Sequence, residues 1–329
     1  MSQPLIKLRS AHCPSAVVMI RPHHFFVNPQ TRQDNVFQRD PVGISLQKLA
    51  QSAYREMTAA AAKLEAAGIT VHVFEDEGTE TPDSVFPNNW FSTHAGGHIA
   101  IYPMLAPMRR KERRTDVIDM LKARYRVQDV IDYSGLEPDG LFLEGTGAMV
   151  LDHIDRVAYA VRSKRTDPIA LERFCTHFNY EPIVFRAEDE NGVSVYHSNV
   201  LMCIASDYVL IGLDMITNPA RRREIVERFE NSGRQVIALS NAQIGNFAGN
   251  AIELQSDRGR ILAISSRALA SLTPDQVSCI EKSSSILDLE IPTIELSGGS
   301  VRCTLAGIHL APRQKRRPVQ TRPSVALAI

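Results

Sequence analysis

The chain carries no net charge: 37 Lys and Arg residues balance 37 Asp and Glu residues. With no basic field to hold nucleic acid or an anionic membrane, a small molecule is the default partner. Cysteine is sparse, and Cys13, Cys175, Cys203, Cys279 and Cys303 form no CxxC pair. That pattern fits neither a complete disulfide framework nor a zinc site, and reduced thiols in a cytoplasm are expected. No run of about 18 apolar residues occurs, and residues 1–15 lack the apolar core of a signal peptide, so neither membrane insertion nor export is expected. A phosphate-cradling glycine loop and ligand-spaced His/Cys clusters are also missing, so neither a metal nor an organic cofactor is expected. What is present, 44% hydrophobic and 22% charged residues over 329 positions, describes a globular protein with a sizeable core.

Helix starts recur with one punctuation, a proline at the first helical position: Pro107, Pro168 after Asp167, Pro219 after Asn218 and Pro274 after Thr273. An earlier helix is predicted over about Ile44–Ala67, closed by Gly68. Between the helices lie β-rich runs at Ala16–Ile20, Thr70–Phe74, His98–Tyr102, Arg156–Val161, Glu181–Phe185, Val200–Ile204, Tyr208–Gly212, Gln235–Leu239, Arg260–Ile264 and Ile286–Leu289. A strand, strand, helix, strand unit repeats five times at roughly 50 to 60 residues. Pattern alone allows a radial array or a doubly wound α/β sheet. Residues 1–311 read as one catalytic domain, and the basic, Pro-rich segment 312–329 as a flexible tail. The charged run Arg109–Arg114 reads as a solvated helical face.

Among the cysteines, Cys303 follows Gly298-Gly299-Ser300-Val301-Arg302, where paired glycines permit close backbone approach and an arginine can favour a thiolate. The other four fit small buried hydrophobes. A cysteine nucleophile needs a base, and the base a carboxylate to orient it. His197 stands just before an apolar run, whereas His94, His98, His153 and His177 are expected on surfaces or helices. Glu144, in the turn Leu143-Glu144-Gly145-Thr146-Gly147, is the carboxylate candidate, and Asp83 either a second one or the start of an Asx-turn.

Taken together, Asp83-Ser84-Val85-Phe86, the Leu143–Gly147 turn, Ser163-Lys164-Arg165-Thr166, His197 and Gly298–Cys303 resemble, in order, the motifs of the guanidine-modifying pentein superfamily. The likeness runs from about Val17 to Leu310 and is greatest to the bacterial citrulline-utilisation hydrolases. It implies an α/β propeller of five ββαβ modules around a pseudo-five-fold axis. It also implies Cys303 as nucleophile, His197 as general acid/base, Glu144 as the carboxylate beside it, and Asp83 at the substrate's α-amino end. Arg165 would bind the α-carboxylate; read without the resemblance, it could equally be a surface residue. Where superfamily members acting on a guanidinium usually carry acidic residues, this chain has Asn89 and Asn199. A guanidinium has only donors, whereas an amide complements a neutral ureido group that donates and accepts. The resemblance therefore implies hydrolysis of citrulline through an S-carbamoyl intermediate. Arginine, methylated arginine and amidinotransfer are the enzymatic alternatives, and a non-catalytic binding module is the alternative of another class. Self-association is left open.

Overall fold

The computed structural model describes residues 12–313. Helices start where side chains satisfy the orphan N–H groups of the first turn. Ser45 caps Leu46–Ala66, Asp167 caps Pro168–Phe178, Asn218 caps Pro219–Asn231, and Thr273 forms a capping box with Gln276 on Pro274–Glu281. The first helix then buries Leu49, Ala53, Met57, Ala60, Ala61 and Leu64, spaced three or four apart on one face.

The strands are β1 (Ala16–Pro22), β2 (Thr70–Asp76), β3 (Phe91–His94), β4 (His98–Ile101), β5 (Asp129–Asp132), β6 (Met149–Asp152), β7 (Val157–Val161) and β8 (Glu181–Phe185). They continue as β9 (Met202–Ile204), β10 (Tyr208–Ile211), β11 (Gln235–Ala238), β12 (Ile252–Ser256), β13 (Gly259–Ser265), β14 (Ser285–Leu289) and β15 (Ala306–Gly307). They form five three-stranded sheets, ordered β15-β1-β2, β3-β4-β5, β6-β7-β8, β9-β10-β11 and β12-β13-β14. In each, an antiparallel pair is extended by a parallel third strand reached through a helix, the ββαβ unit expected from the repeat. The ring closes because β15 supplies the inner strand of the β1 sheet, with Val17 opposite Gly307. Burial follows radius: β3, β6 and β9 are wholly buried, while the outer strands β2, β5 and β11 are partly exposed. The doubly wound alternative is excluded by these five separate sheets.

Most inner strands are preceded by a short turn near the axis: Pro87–Asn89 before β3, Gly145–Ala148 before β6, Ser198–Leu201 before β9 and Val301–Thr304 before β15. The segment Phe247–Asn250 plays this part before β12, with an Asn250 N–H to Phe247 O bond of 2.8 Å.

Several expectations are corrected. Pro107 opens only a four-residue helix, Pro107–Arg110, and the outer helix of that module is Thr115–Arg124. The run Arg109–Arg114 is not a solvated face: Arg109 and Glu112 are buried, because Arg109 reaches a cluster of carboxylates at the axis. Val200 and Leu201 belong to a helical turn, so the strand begins at Met202. His94 is buried rather than superficial, its Nε2 2.7 Å from Ser92 Oγ and its ring beside Phe178. Cys13 is buried as expected but is not merely apolar, since its thiol donates to Glu253 at 2.8 Å. Of the expected tail, Pro312 bridges to Tyr125 and Arg313 N–H donates to Arg124 O, while residues 314–329 lie outside the described residues.

Candidate active site

The axial turns bring the sequence candidates together. Ser198 anchors the turn after His197, accepting from Val161 N–H at 2.7 Å and donating to the Ala148 carbonyl at 2.5 Å. This places His197 Nε2 2.9 Å from Glu144 Oε2. His197 Nδ1 turns towards Gly147, where a Cβ would lie 2.8 Å from it and 2.1 Å from Asn89 Nδ2. Only glycine allows that approach. Two residues beyond His197, Asn199 directs Nδ2 at Cys303 Sγ, 3.1 Å away. Histidine and cysteine, more than 100 residues apart in sequence, thus share one buried site.

Glu144 is completely buried, and burial alone would disfavour its charge. Arg165 Nη1 at 3.4 Å, the His197 hydrogen bond and Arg109 Nη1 at 3.5 Å outweigh that cost and hold the carboxyl well below the usual carboxylate range. Burial lowers His197 to about 4 despite the opposing pull of Glu144. The resting imidazole is therefore neutral near pH 7, with Nε2–H donating to Glu144 and Nδ1 carrying the lone pair.

Arg109 organises the opposite wall. It makes a paired contact to Glu112, Nε to Oε1 at 2.9 Å and Nη2 to Oε2 at 3.0 Å, and Nη2 also donates to Asn89 Oδ1 at 3.0 Å. Its Nε lies 3.7 Å from Asp83 Oδ2, which also accepts from Asn28 Nδ2 at 2.8 Å. Burial raises Asp83 above its ordinary value, with Arg109 opposing. Arg165 is no surface residue: it is buried, stacked on Tyr196 with Cζ 4.8 Å from the ring centre. Its Nε and Nη2 bind Asp34 as a fork at 2.9 and 2.5 Å. Phe86 packs in the same apolar cluster as Cys303.

Of the seven residues singled out from sequence, Asp83, Asn89, Glu144, Arg165 and His197 are thus linked through Arg109 and Glu144, while Asn199 and Cys303 contact each other. Asp83 Oδ1, Asn89 Nδ2 and Asn199 Oδ1 are buried without a hydrogen-bond partner, and such atoms mark where a polar ligand can be received. Sequence reasoning missed Arg109, Glu112, Asp34 and Asn250. Arg109 was hidden in a charged run, but Asn250 ends Phe247-Ala248-Gly249-Asn250, which repeats the aromatic-x-x-Asn pattern of Phe86–Asn89 and Tyr196–Asn199. Aligning the five repeats would have exposed it. Among the described residues no group of His, Cys, Asp and Glu is arranged to hold a metal ion, and no helix is long and apolar enough to cross a membrane.

The architecture is shared with solved enzymes. The unliganded structure of AgrE superposes with a TM-score of 0.69 at 18% identity, over 91% of this chain but only 40% of AgrE. The substrate-bound N-terminal domain of ArgZ, an arginine dihydrolase from the ornithine-ammonia cycle in cyanobacteria, gives 0.66 at 16% identity, covering 89% of this chain and 97% of that one. A dimethylarginine dimethylaminohydrolase adduct with S-methyl-L-thiocitrulline gives 0.58 at 13% identity, covering 90% and 100%. At these identities the likeness speaks for the fold. No curated protein matches the chain. The profile of the family described as N,N dimethylarginine dimethylhydrolase, eukaryotic, matches residues 21–310. With five ββαβ modules around the axis and that match over most of its length, the chain belongs to the N,N-dimethylarginine dimethylhydrolase family of the pentein superfamily.

Proposed function

We propose that the protein hydrolyses citrulline to ornithine, ammonia and carbon dioxide, with Cys303 as nucleophile. Neutral His197 takes the thiol proton as sulfur bonds to the ureido carbon, and Glu144 stabilises the imidazolium. The tetrahedral intermediate collapses by breaking the bond to the ornithine nitrogen, which receives the proton from His197, leaving S-carbamoyl-Cys303. His197 then activates water, the C–S bond breaks, and the released carbamate decomposes to ammonia and carbon dioxide.

The observation that carries the ureido reading is the hold of Arg109 on Asn89. A guanidinium can only donate, so it fixes Oδ1 of Asn89 towards itself and turns the NH2 the other way. Asn199 has Nδ2 on sulfur and Oδ1 unpartnered. The site thus presents one donor and one acceptor, complementary to a ureido C=O and NH2. A guanidinium or methylated guanidinium, the rival favoured by the family match, would meet the Asn89 donor with donors. Asp83 receives the α-ammonium group. Arg165 takes the α-carboxylate in the fork that holds Asp34, so Asp34 gives way on binding.

Purified protein incubated separately with citrulline, arginine and Nω,Nω-dimethylarginine tests this directly. Ornithine released from citrulline supports it. Citrulline formed from either arginine compound, with no ornithine ever formed from citrulline, overturns the substrate assignment while leaving the cysteine mechanism in place.

A further inference from the structure

We propose that Asn250 is a catalytic residue that, with Asn199, forms a donor cradle for the sulfur anion of Cys303. The inference rests on the reading of Cys303 as nucleophile, but not on which substrate it attacks.

Asn250 is completely buried on the axial turn of the β12-β13-β14 module. That turn lies hard against its neighbour, since a Cβ at Gly249 would fall 2.7 Å from Val200 O. The Asn250 amide has no freedom of orientation. Its Oδ1 accepts from the backbone N–H groups of Ser300 at 3.1 Å and Cys303 at 3.4 Å, and these groups can only donate. The NH2 must then point away from them. It divides its hydrogens between Asn199 O at 2.8 Å and Cys303 Sγ at 3.3 Å. With Asn199 Nδ2 at 3.1 Å, two amide donors converge on one sulfur.

Hydrogen bonds to a charged acceptor are roughly twice as strong as those to a neutral one, so this arrangement favours thiolate over thiol and over carbamoylated sulfur. Its effect is therefore greatest when sulfur gains charge, during proton loss to His197 and again when the thiolate is expelled from the carbamoyl carbon. The same amide pins the backbone carrying the nucleophile, so one side chain sets both the position and the charge of the sulfur.

Two substitutions separate these duties. Asn250→Asp keeps an acceptor for the two backbone N–H groups and replaces the donor by oxygen; Asn250→Ala withdraws the amide donor from sulfur without adding charge or a hydroxyl donor. The measurement is the pH dependence of Cys303 alkylation by iodoacetamide in substrate-free protein, located by peptide mass spectrometry, with thermal melting to establish folding. Both variants are expected to shift the alkylation midpoint upward by about one pH unit and to slow the reaction at pH 7 about tenfold. An unchanged midpoint in either folded variant overturns the proposal. Citrulline turnover is read separately, so failure of the substrate assignment leaves the alkylation result interpretable.

Discussion

In the proposed reaction Cys303 and His197 act on one proton, so their contributions to rate should not add. Cys303→Ser retains an acceptor for the Asn199 and Asn250 amides and should melt within about 3 °C of the parent, yet lose turnover by about 10⁴-fold or more. His197→Ala should lose a comparable factor, and the double variant little beyond either single one. Steady-state rates and melting curves on the three proteins check this, and residual activity at the product of the two single losses would deny the shared role. Both residues stood out as candidates in the sequence because a cysteine nucleophile demands a base, and these two lie beside glycines and a strand start. Arg109 did not, because a charged run carries no mark of which member turns inward.

At the scale of the element, the Gly145–Ala148 turn matters for what it omits. The Asn89 amide and the His197 ring close over Gly147, and a methyl group there would collide with both. Gly147→Ala should therefore displace the base and lower kcat by about 100-fold, with a smaller effect on KM, because small misplacements of reacting groups are costly. Kinetics combined with melting temperature decide the matter: a variant that melts normally and turns over at the parental rate would show that the close approach is not needed. Four of the five outer helices were visible from a cap, a proline or a closing glycine, whereas Thr115–Arg124, with neither a side-chain cap nor a proline, was not. The short axial turns were not, since four residues carry too little periodicity to distinguish a helical turn from the start of a strand, as Val200 and Leu201 show.

Across the whole molecule, burial holds His12, His94 and His197 below the ordinary histidine value. Below about pH 6.5 an unfolded chain takes up protons that the folded chain refuses at these positions, so their contribution to stability is lost as pH falls. His94→Phe tests the sign at a site remote from the chemistry, where the ring already packs on Phe174 and Phe178. Urea unfolding at pH 7 and pH 5 should show a shallower acid decline in the variant, by up to about 1.4 kcal/mol per pH unit. Equal declines would mean that His94 accepts its proton in the folded state.

The amino-acid sequence by itself determined the repeat of the ββαβ unit and most of the helix starts, and offered Cys303, His197 and Glu144 as candidate nucleophile, base and carboxylate, because capping, periodicity and side-chain chemistry are local. Tertiary structure decided which polar atoms face one another. Closure of the ring by β15 on β1 joins the first and last strands, and the folding of the β3-β4-β5 module turns Arg109 into the group that orients Asn89. Only the packing of the β12-β13-β14 module between the β9-β10-β11 and β15-β1-β2 modules aims Asn250 at sulfur. These are contacts between residues 20 to more than 50 positions apart, fixed by the folding of a module or the approach of its neighbours and therefore absent from any local pattern.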